Sequence, residues 1–212
     1  MRLTVLAAAA VGSAVALVGF AGAANASATV DLIWAENGTD QISAVNLSSA
    51  ITLQVILTSG PNGSYGGGVS VDYSATEGKL VVLGYSSTPS APEPEGDNLL
   101  PIQLGEPIDT GRRIENLNSV AFPPFFGTGL LEGQSHQLGT VTFHKGGIEE
   151  GTFEIGVDAA GATDGVLDGT GREITFTTTF NGARLINAPE LGTLPLLITV
   201  GGMMLAGRGR RS

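Results

Sequence analysis

The chain has 212 residues, with 20 acidic against 10 basic side chains, two histidines, no cysteine and a net charge of −10. The missing cysteines exclude disulfide staples, thiol catalysis and thiolate metal sites together. So acidic a surface is repelled by phosphate backbones, which argues against nucleic acid as a partner.

The N-terminus opens on Met1-Arg2, followed by an Ala- and Val-rich apolar stretch over residues 3–21 and by Ala24-Asn25-Ala26. A charged start, an apolar run and a small-x-small site form the anatomy of a secretory signal peptide. Cleavage is expected after Ala26, with Ala26-Ser27-Ala28 as a second site. Residues 1–26 are therefore set apart from the fold, as is the segment 188–212. Removing both ends takes away four arginines and one glutamate, so the net charge moves from −10 to −13 over the remaining domain. Residues 27–187 have the length of one domain and bury roughly two-thirds of their unfolded surface at that size.

Within the domain the apolar pattern has period two. Ile51, Leu53, Val55 and Leu57 alternate with Thr52, Gln54 and Thr58, broken only by Ile56; Val69, Val71 and Tyr73 alternate with Ser70, Asp72 and Ser74. Val141 and Phe143 follow, then Phe153, Ile155 and Val157, then Ile174, Phe176, Thr178 and Phe180. Alternation of this kind marks strands with one face in a core and one in water. Strands are expected over 50–58, 68–74, 138–144, 151–157 and 173–180. Pro61-Asn62-Gly63, Gly66-Gly67-Gly68, Lys145-Gly146-Gly147 and Asn181-Gly182 read as turns between them. No helical spacing persists for three turns. The expected class is all-β, an antiparallel two-sheet sandwich, with a barrel as the alternative.

Two stretches break the rhythm. Residues 86–111 are rich in Pro, Ser and Glu without apolar period and read as a mobile surface excursion, with extended pieces at 99–104. Residues 121–127 place Phe122, Phe125 and Phe126 around a diproline, as a lid over one end of the sandwich or as an aromatic binding patch. Trp34 follows Asp31-Leu32-Ile33 and is either core or a platform for sugar stacking; Tyr65, Tyr73 and Tyr85 are further stacking candidates.

Candidates for chemistry are few. His136 and His144 have no Gly-x-Ser-x-Gly elbow and no His-Glu-x-x-His beside them. Glu149, Glu150 and Glu154 cluster near one strand and are the only carboxylates suggestive of a glycosidase acid–base pair. Asp158, Asp164 and Asp168 lie in a Gly-rich stretch that offers oxygen ligands for Ca²⁺, although its spacing is not that of an EF-hand and suits a plain turn equally well. No other cofactor is expected. Asn37-Gly38-Thr39, Asn46-Leu47-Ser48 and Asn62-Gly63-Ser64 match a glycosylation pattern and read as turns.

The C-terminus carries Pro189-Glu190-Leu191, an apolar run over residues 194–206, and Arg208, Arg210 and Arg211. This layout resembles the PEP-CTERM sorting tail of Gram-negative bacteria, with Leu191 where the motif more often has a second proline. Residues 191–207 would extend about 25 Å as a helix, the short end of a membrane span, and the arginines would stay cytoplasmic. The resemblance implies an exosortase-type sorting protease as a partner, transient anchoring in the inner membrane, and final placement on the cell surface or outside it. The alternative is a permanent tail anchor.

A second resemblance runs through the domain. The strand 50–59, then Gly68-Val69-Ser70-Val71-Asp72-Tyr73-Ser74, Gly78-Lys79-Leu80-Val81-Val82-Leu83 and Gln137-Leu138-Gly139-Thr140-Val141-Thr142-Phe143, resemble strands of cohesin-like and carbohydrate-binding-module-like sandwiches. Together the two resemblances imply an exported, non-enzymatic protein, structural or adhesive in an extracellular polysaccharide matrix. A carbohydrate- or protein-binding module is the second reading, with Trp34 or the 122–126 segment as its contact surface; an unrecognised hydrolase is the third.

Overall fold

The computed structural model describes residues 28–43, 50–76, 80–89, 98–144, 151–161 and 164–187. The signal peptide with Ala24 and Ala26, the sorting tail with Pro189, Glu190, Leu191, Arg208, Arg210 and Arg211, and Glu149 and Glu150 lie outside the described residues. Among the described residues twelve strands run in chain order: β1 Ala28–Trp34, β2 Gln41–Ser43, β3 Ala50–Ser59, β4 Ser64–Asp72, β5 Val81–Ser87, β6 Ile108–Asp109, β7 Arg113–Val120, β8 Ser135–His144, β9 Gly151–Asp158, β10 Gly165–Asp168, β11 Thr178–Asn181 and β12 Ala183–Asn187. No α-helix occurs among the described residues, only short 3₁₀ turns at Ser74–Thr76 and Thr175–Thr177.

The strands form two sheets. Sheet one has the order β11-β1-β3-β8-β5, and sheet two the order β2-β12-β9-β4-β7-β6, with β10 also paired to β4. The expected all-β sandwich is therefore the architecture. β3 shows how the alternation produces it. Ile51, Leu53, Val55 and Leu57 are wholly buried between the sheets, while Thr52, Gln54 and Thr58 face outward. Each buried aliphatic side chain contributes about 1.5–3 kcal/mol against its exposed state. Val30, Leu32, Leu138, Val141 and Phe143 from sheet one meet Val69, Val71, Ile114, Leu117, Ile155 and Leu185 from sheet two in one core.

One side of the sandwich is closed by two strands that change sheets. β11 pairs parallel with β1 in sheet one, and after Gly182 the chain continues as β12 in sheet two. The first strand does likewise: β1 belongs to sheet one, and β2, just beyond the turn, pairs parallel with β12. Gly182 is needed at the crossing, because a Cβ there would stand 2.5 Å from the Ile155 carbonyl oxygen. Trp34 locks the seam: its ring is wholly buried, and Nε1 donates to the Arg184 carbonyl at 3.1 Å. Of the two readings of Trp34, the structure gives core, so it offers no stacking platform.

Other expectations change. Gly66-Gly67-Gly68 is not a turn but the middle of β4, where glycine allows neighbouring backbone to come close; a Cβ on Gly66 would lie 2.0 Å from the Ser119 carbonyl oxygen. The strand expected over 173–180 is a 3₁₀ turn followed by the four residues of β11, and Phe176 is 98% exposed. Period two alone does not distinguish a buried face from a ring left in solvent. The described end of the 86–111 excursion is held against β7: Leu100 is buried, Ile102 bridges Val120, and β6 pairs with β7.

Candidate functional site

The richest arrangement of side chains lies on the outer face of sheet two. Val69 and Val71 point into the core, so Gly68, Ser70 and Asp72 point outward along β4. On one flank β9 pairs with β4 at Ser70–Asp72 and β10 pairs with it at Ser64–Gly68. The two strands thus occupy one strand position, interrupted between the end of β9 at Asp158 and the start of β10 at Gly165. Asp158 ends β9 and Asp164 precedes β10. On the other flank β7 is bulged around Asn116, which has φ 63°.

Arg113 of β7 sits between two carboxylates. Its Nη2 bonds the Asp158 carboxylate and lies 3.9 Å from Asp72 Oδ2. Burial pushes the Asp72 carboxyl up, but bonds from the Ser74 side chain and backbone N–H and the Arg113 charge outweigh it and hold it below its ordinary value. Asp164 is bound differently. Ser70 Oγ donates to its Oδ2 at 2.5 Å and the Gly161 N–H at 2.8 Å, while its buried Oδ1 has no hydrogen-bond partner. The buried Asn118 carboxamide straps residue 104 to β7: Oδ1 accepts from the Leu104 N–H at 2.5 Å, and Nδ2 donates to the Leu104 carbonyl at 3.1 Å.

Between these two flanks is a trough of about 190 Å³. Gly67 and Gly68 form its floor because they carry no side chain; Leu104 and Asn118 form one wall, Asp164 and Glu173 the other. Leu104 and Ile108 are 44% and 58% exposed. The arrangement can seat a protruding side chain, with apolar contact on one wall and carboxylates on the other. Nothing in the hydrophobic periodicity pointed to Arg113, Asn118 or this floor. The three consecutive glycines were the available signal, had they been placed within a strand.

The aspartates expected to share a calcium ion each have separate partners. Asp158 pairs with Arg113, Asp164 with Ser70, and Asp168 caps its own turn by accepting from Thr170 N–H, Arg172 N–H and Thr170 Oγ1. Burial pushes the Asp168 carboxyl up; the bonds from Thr170 and Arg172 and the Arg172 charge prevail and hold it low. Among the described residues no three His, Asp or Glu side chains are grouped as a metal site would require. Glu154 pairs with Arg184 Nε at 2.7 Å on the surface. His136 Nε2 lies 2.9 Å from the Thr88 carbonyl oxygen, and His144 ends β8 opposite Ala50. Phe122, Phe125 and Phe126 are 45%, 83% and 58% exposed, so their rings do not form the lid. Tyr73 is core, its hydroxyl donating to Asp109 Oδ1 at 2.6 Å; burial and the Asp109 carboxylate raise its pKa.

No protein-family model and no curated protein matches the chain. Solved structures do. The chain is similar to a complex of CaCohA2 with a variant of CaDoc0917, with a TM-score of 0.50 at 13% identity, over 76% of this chain and 99% of the other. It is similar to CaCohA2 from Clostridium acetobutylicum in solution, with a TM-score of 0.50 at 12% identity, over 79% and 95%. A non-cellulosomal cohesin from Archaeoglobus fulgidus aligns with a TM-score of 0.45 at 12% identity, over 78% and 95%. The domain has a cohesin-like fold. At these identities the likeness concerns the fold alone.

Proposed function

We propose that the domain is a non-enzymatic protein-binding module that uses the outer face of sheet two, and that it works outside the cell. The observation that carries this reading is the glycine-floored trough, bordered by exposed Leu104 and by Asn118 on one side and by Asp164 and Glu173 on the other. Its partner is a protein that inserts a cationic side chain there, since the wall opposite Leu104 is acidic and Asp164 Oδ1 has no partner of its own. The similar CaCohA2 fold in a two-protein complex supports the same reading. A photo-crosslinking residue at Leu104 should capture one partner protein on intact cells, and the same residue at Thr29, on the outer face of sheet one, should not. Equal capture from both positions, or from neither, would refute it.

The setting follows from the two ends of the sequence. The signal peptide exports the chain, and the PEP-CTERM-like tail holds it in the inner membrane until an exosortase-type protease releases it. The protein then serves as a structural or adhesive component at the cell surface, within the polysaccharide matrix. Mass spectrometry of the surface form should find an N-terminus near Ser27 and no Arg208–Arg211 cluster. An intact C-terminus there would leave a permanent tail anchor instead.

A further inference from the structure

We infer that the cleft at the turn end of the sandwich is a binding site for a neutral saccharide. Three loops converge there: residues 60–63 between β3 and β4, 128–134 before β8, and 168–171 after β10. The cleft measures about 320 Å³, within the roughly 300–1,000 Å³ of small-ligand sites. Pro61, Leu131 and the Tyr65 ring supply its apolar surface, and Asn62, Thr128 and Glu132 its polar groups.

The site is preformed. Ser64 and Leu130 exchange backbone hydrogen bonds at 2.9 and 2.7 Å, and Ser64 Oγ donates to the Leu167 carbonyl at 2.6 Å, which ties all three loops to one strand end. The Leu131 N–H donates to Gln134 Oε1 at 2.7 Å, and the Asp168 carboxylate holds the third loop through Thr170 and Arg172. The loops also meet without side chains between them. A Cβ on Gly63 would stand 2.4 Å from the Leu130 carbonyl oxygen, and one on Gly169 2.2 Å from that of Asn62. Gly129 at φ +74° brings its backbone against one edge of the Tyr65 ring, where a Cβ would approach Cδ1 to 2.7 Å. A site already ordered loses little conformational freedom on binding.

The groups left over fit one ligand class. The Tyr65 hydroxyl, the Asn62 carboxamide and the Glu132 carboxylate have no hydrogen-bond partner among the described residues. Together they offer donors and acceptors around one cleft, which is what sugar hydroxyls satisfy. Leu131, 71% exposed, and the Tyr65 ring give the C–H face of a pyranose its apolar contact. Among the described residues no cationic side chain lines the cleft, and Glu132 adds to a net charge of −10, so uronates and sulfated sugars are repelled. The inference is independent of the sheet-two reading, because cleft and trough share no lining residue.

The test is calorimetric titration of the full chain in detergent micelles with cellohexaose, maltohexaose and xylohexaose, beside hexagalacturonate and a chitosan hexamer as charged probes. At least one neutral hexasaccharide should bind with a micromolar-to-millimolar dissociation constant. Asn62→Ala and Leu131→Ala, both at exposed positions, should each weaken it roughly tenfold or more. Tyr65→Phe should weaken it while leaving the thermal midpoint in place, and Phe176→Ala should change nothing. Three outcomes overturn the inference: no neutral probe binding at millimolar concentration, affinity retained in both exposed variants, or tighter binding of either charged probe.

Discussion

Phe143 and Phe176 occupy the same phase of the apolar alternation, yet the structure gives them opposite fates. Phe143 is wholly buried on β8 and meets Trp34 edge-on at a ring-centroid distance of 6.5 Å and Tyr73 at 5.8 Å. Truncation to alanine removes a ring from the centre of the core, and wholly buried Phe→Ala changes cost about 3–5 kcal/mol. Two edge contacts of about 0.5–1.5 kcal/mol each go with it, which favours the upper half of that range. For a domain of this size each kcal/mol moves the midpoint by about 2–4 °C. At about 4–5 kcal/mol the Phe143→Ala midpoint should therefore fall by about 8–20 °C. Phe176 is 98% exposed, and Phe176→Ala should stay within about 0.5 kcal/mol of wild type. Thermal unfolding followed by near-ultraviolet circular dichroism reads both variants. Similar losses for the two would refute the assignment of Thr175–Thr177 to a surface turn, and a loss below about 1 kcal/mol for Phe143→Ala would refute the core.

Two glycines with positive φ offer a second comparison. Gly66→Ala must displace the Ser119 carbonyl and should destabilise the domain by well over about 2 kcal/mol, whereas Gly38→Ala meets nothing within 4 Å and should cost only the left-handed backbone penalty of about 1–2 kcal/mol; urea midpoints separate them. Asp168 gives a pH dependence with a definite sign. Its folded pKa is depressed, so it stabilises the fold above its unfolded value of about 3.9 and loses that contribution as the pH falls through the folded value. Asp168→Asn should lower stability at neutral pH by about 1–2 kcal/mol, and the gap to wild type should close in acid. A constant gap from pH 7 to about pH 3 would show that the charge does not act through this turn.

The sandwich was legible in the sequence because its core strands have one dry and one wet face, and β3, β8 and β9 were bounded to within a few residues on that basis. β7 was not. Its alternation Ile114, Leu117 slips by one residue at Asn116, whose positive φ marks a bulge, and no period survives a bulge. The two strands that change sheets also escaped, since Asn181-Gly182 carries the composition of a hairpin turn but makes a crossing. For the candidate site the loss was greater. Arg113, Asp158 and Asp72 come from three strands, and their meeting depends on register rather than on sequence spacing.

The acidic residues illustrate what register adds. In the sequence, Asp158, Asp164 and Asp168 are one cluster spread over eleven positions, and their shared chemistry suggests a shared ion. In the fold, β9 and β10 lie end to end along β4, so the three are distributed along a strand edge rather than drawn around a point. Each then takes the nearest partner on its own stretch: a guanidinium, a serine hydroxyl, the N–H groups of a turn. Asp164 alone keeps a buried oxygen without a partner, and the residue lines the trough over Gly67 and Gly68. A carboxylate oxygen withdrawn from water and left unbonded costs about 1–3 kcal/mol or more. A cationic side chain entering over Gly68 would relieve that cost, more fully than a neutral donor of the same shape. On the proposed reading Asp164 bears on which partner is chosen, whereas Asp158 and Asp168 serve to hold the domain together.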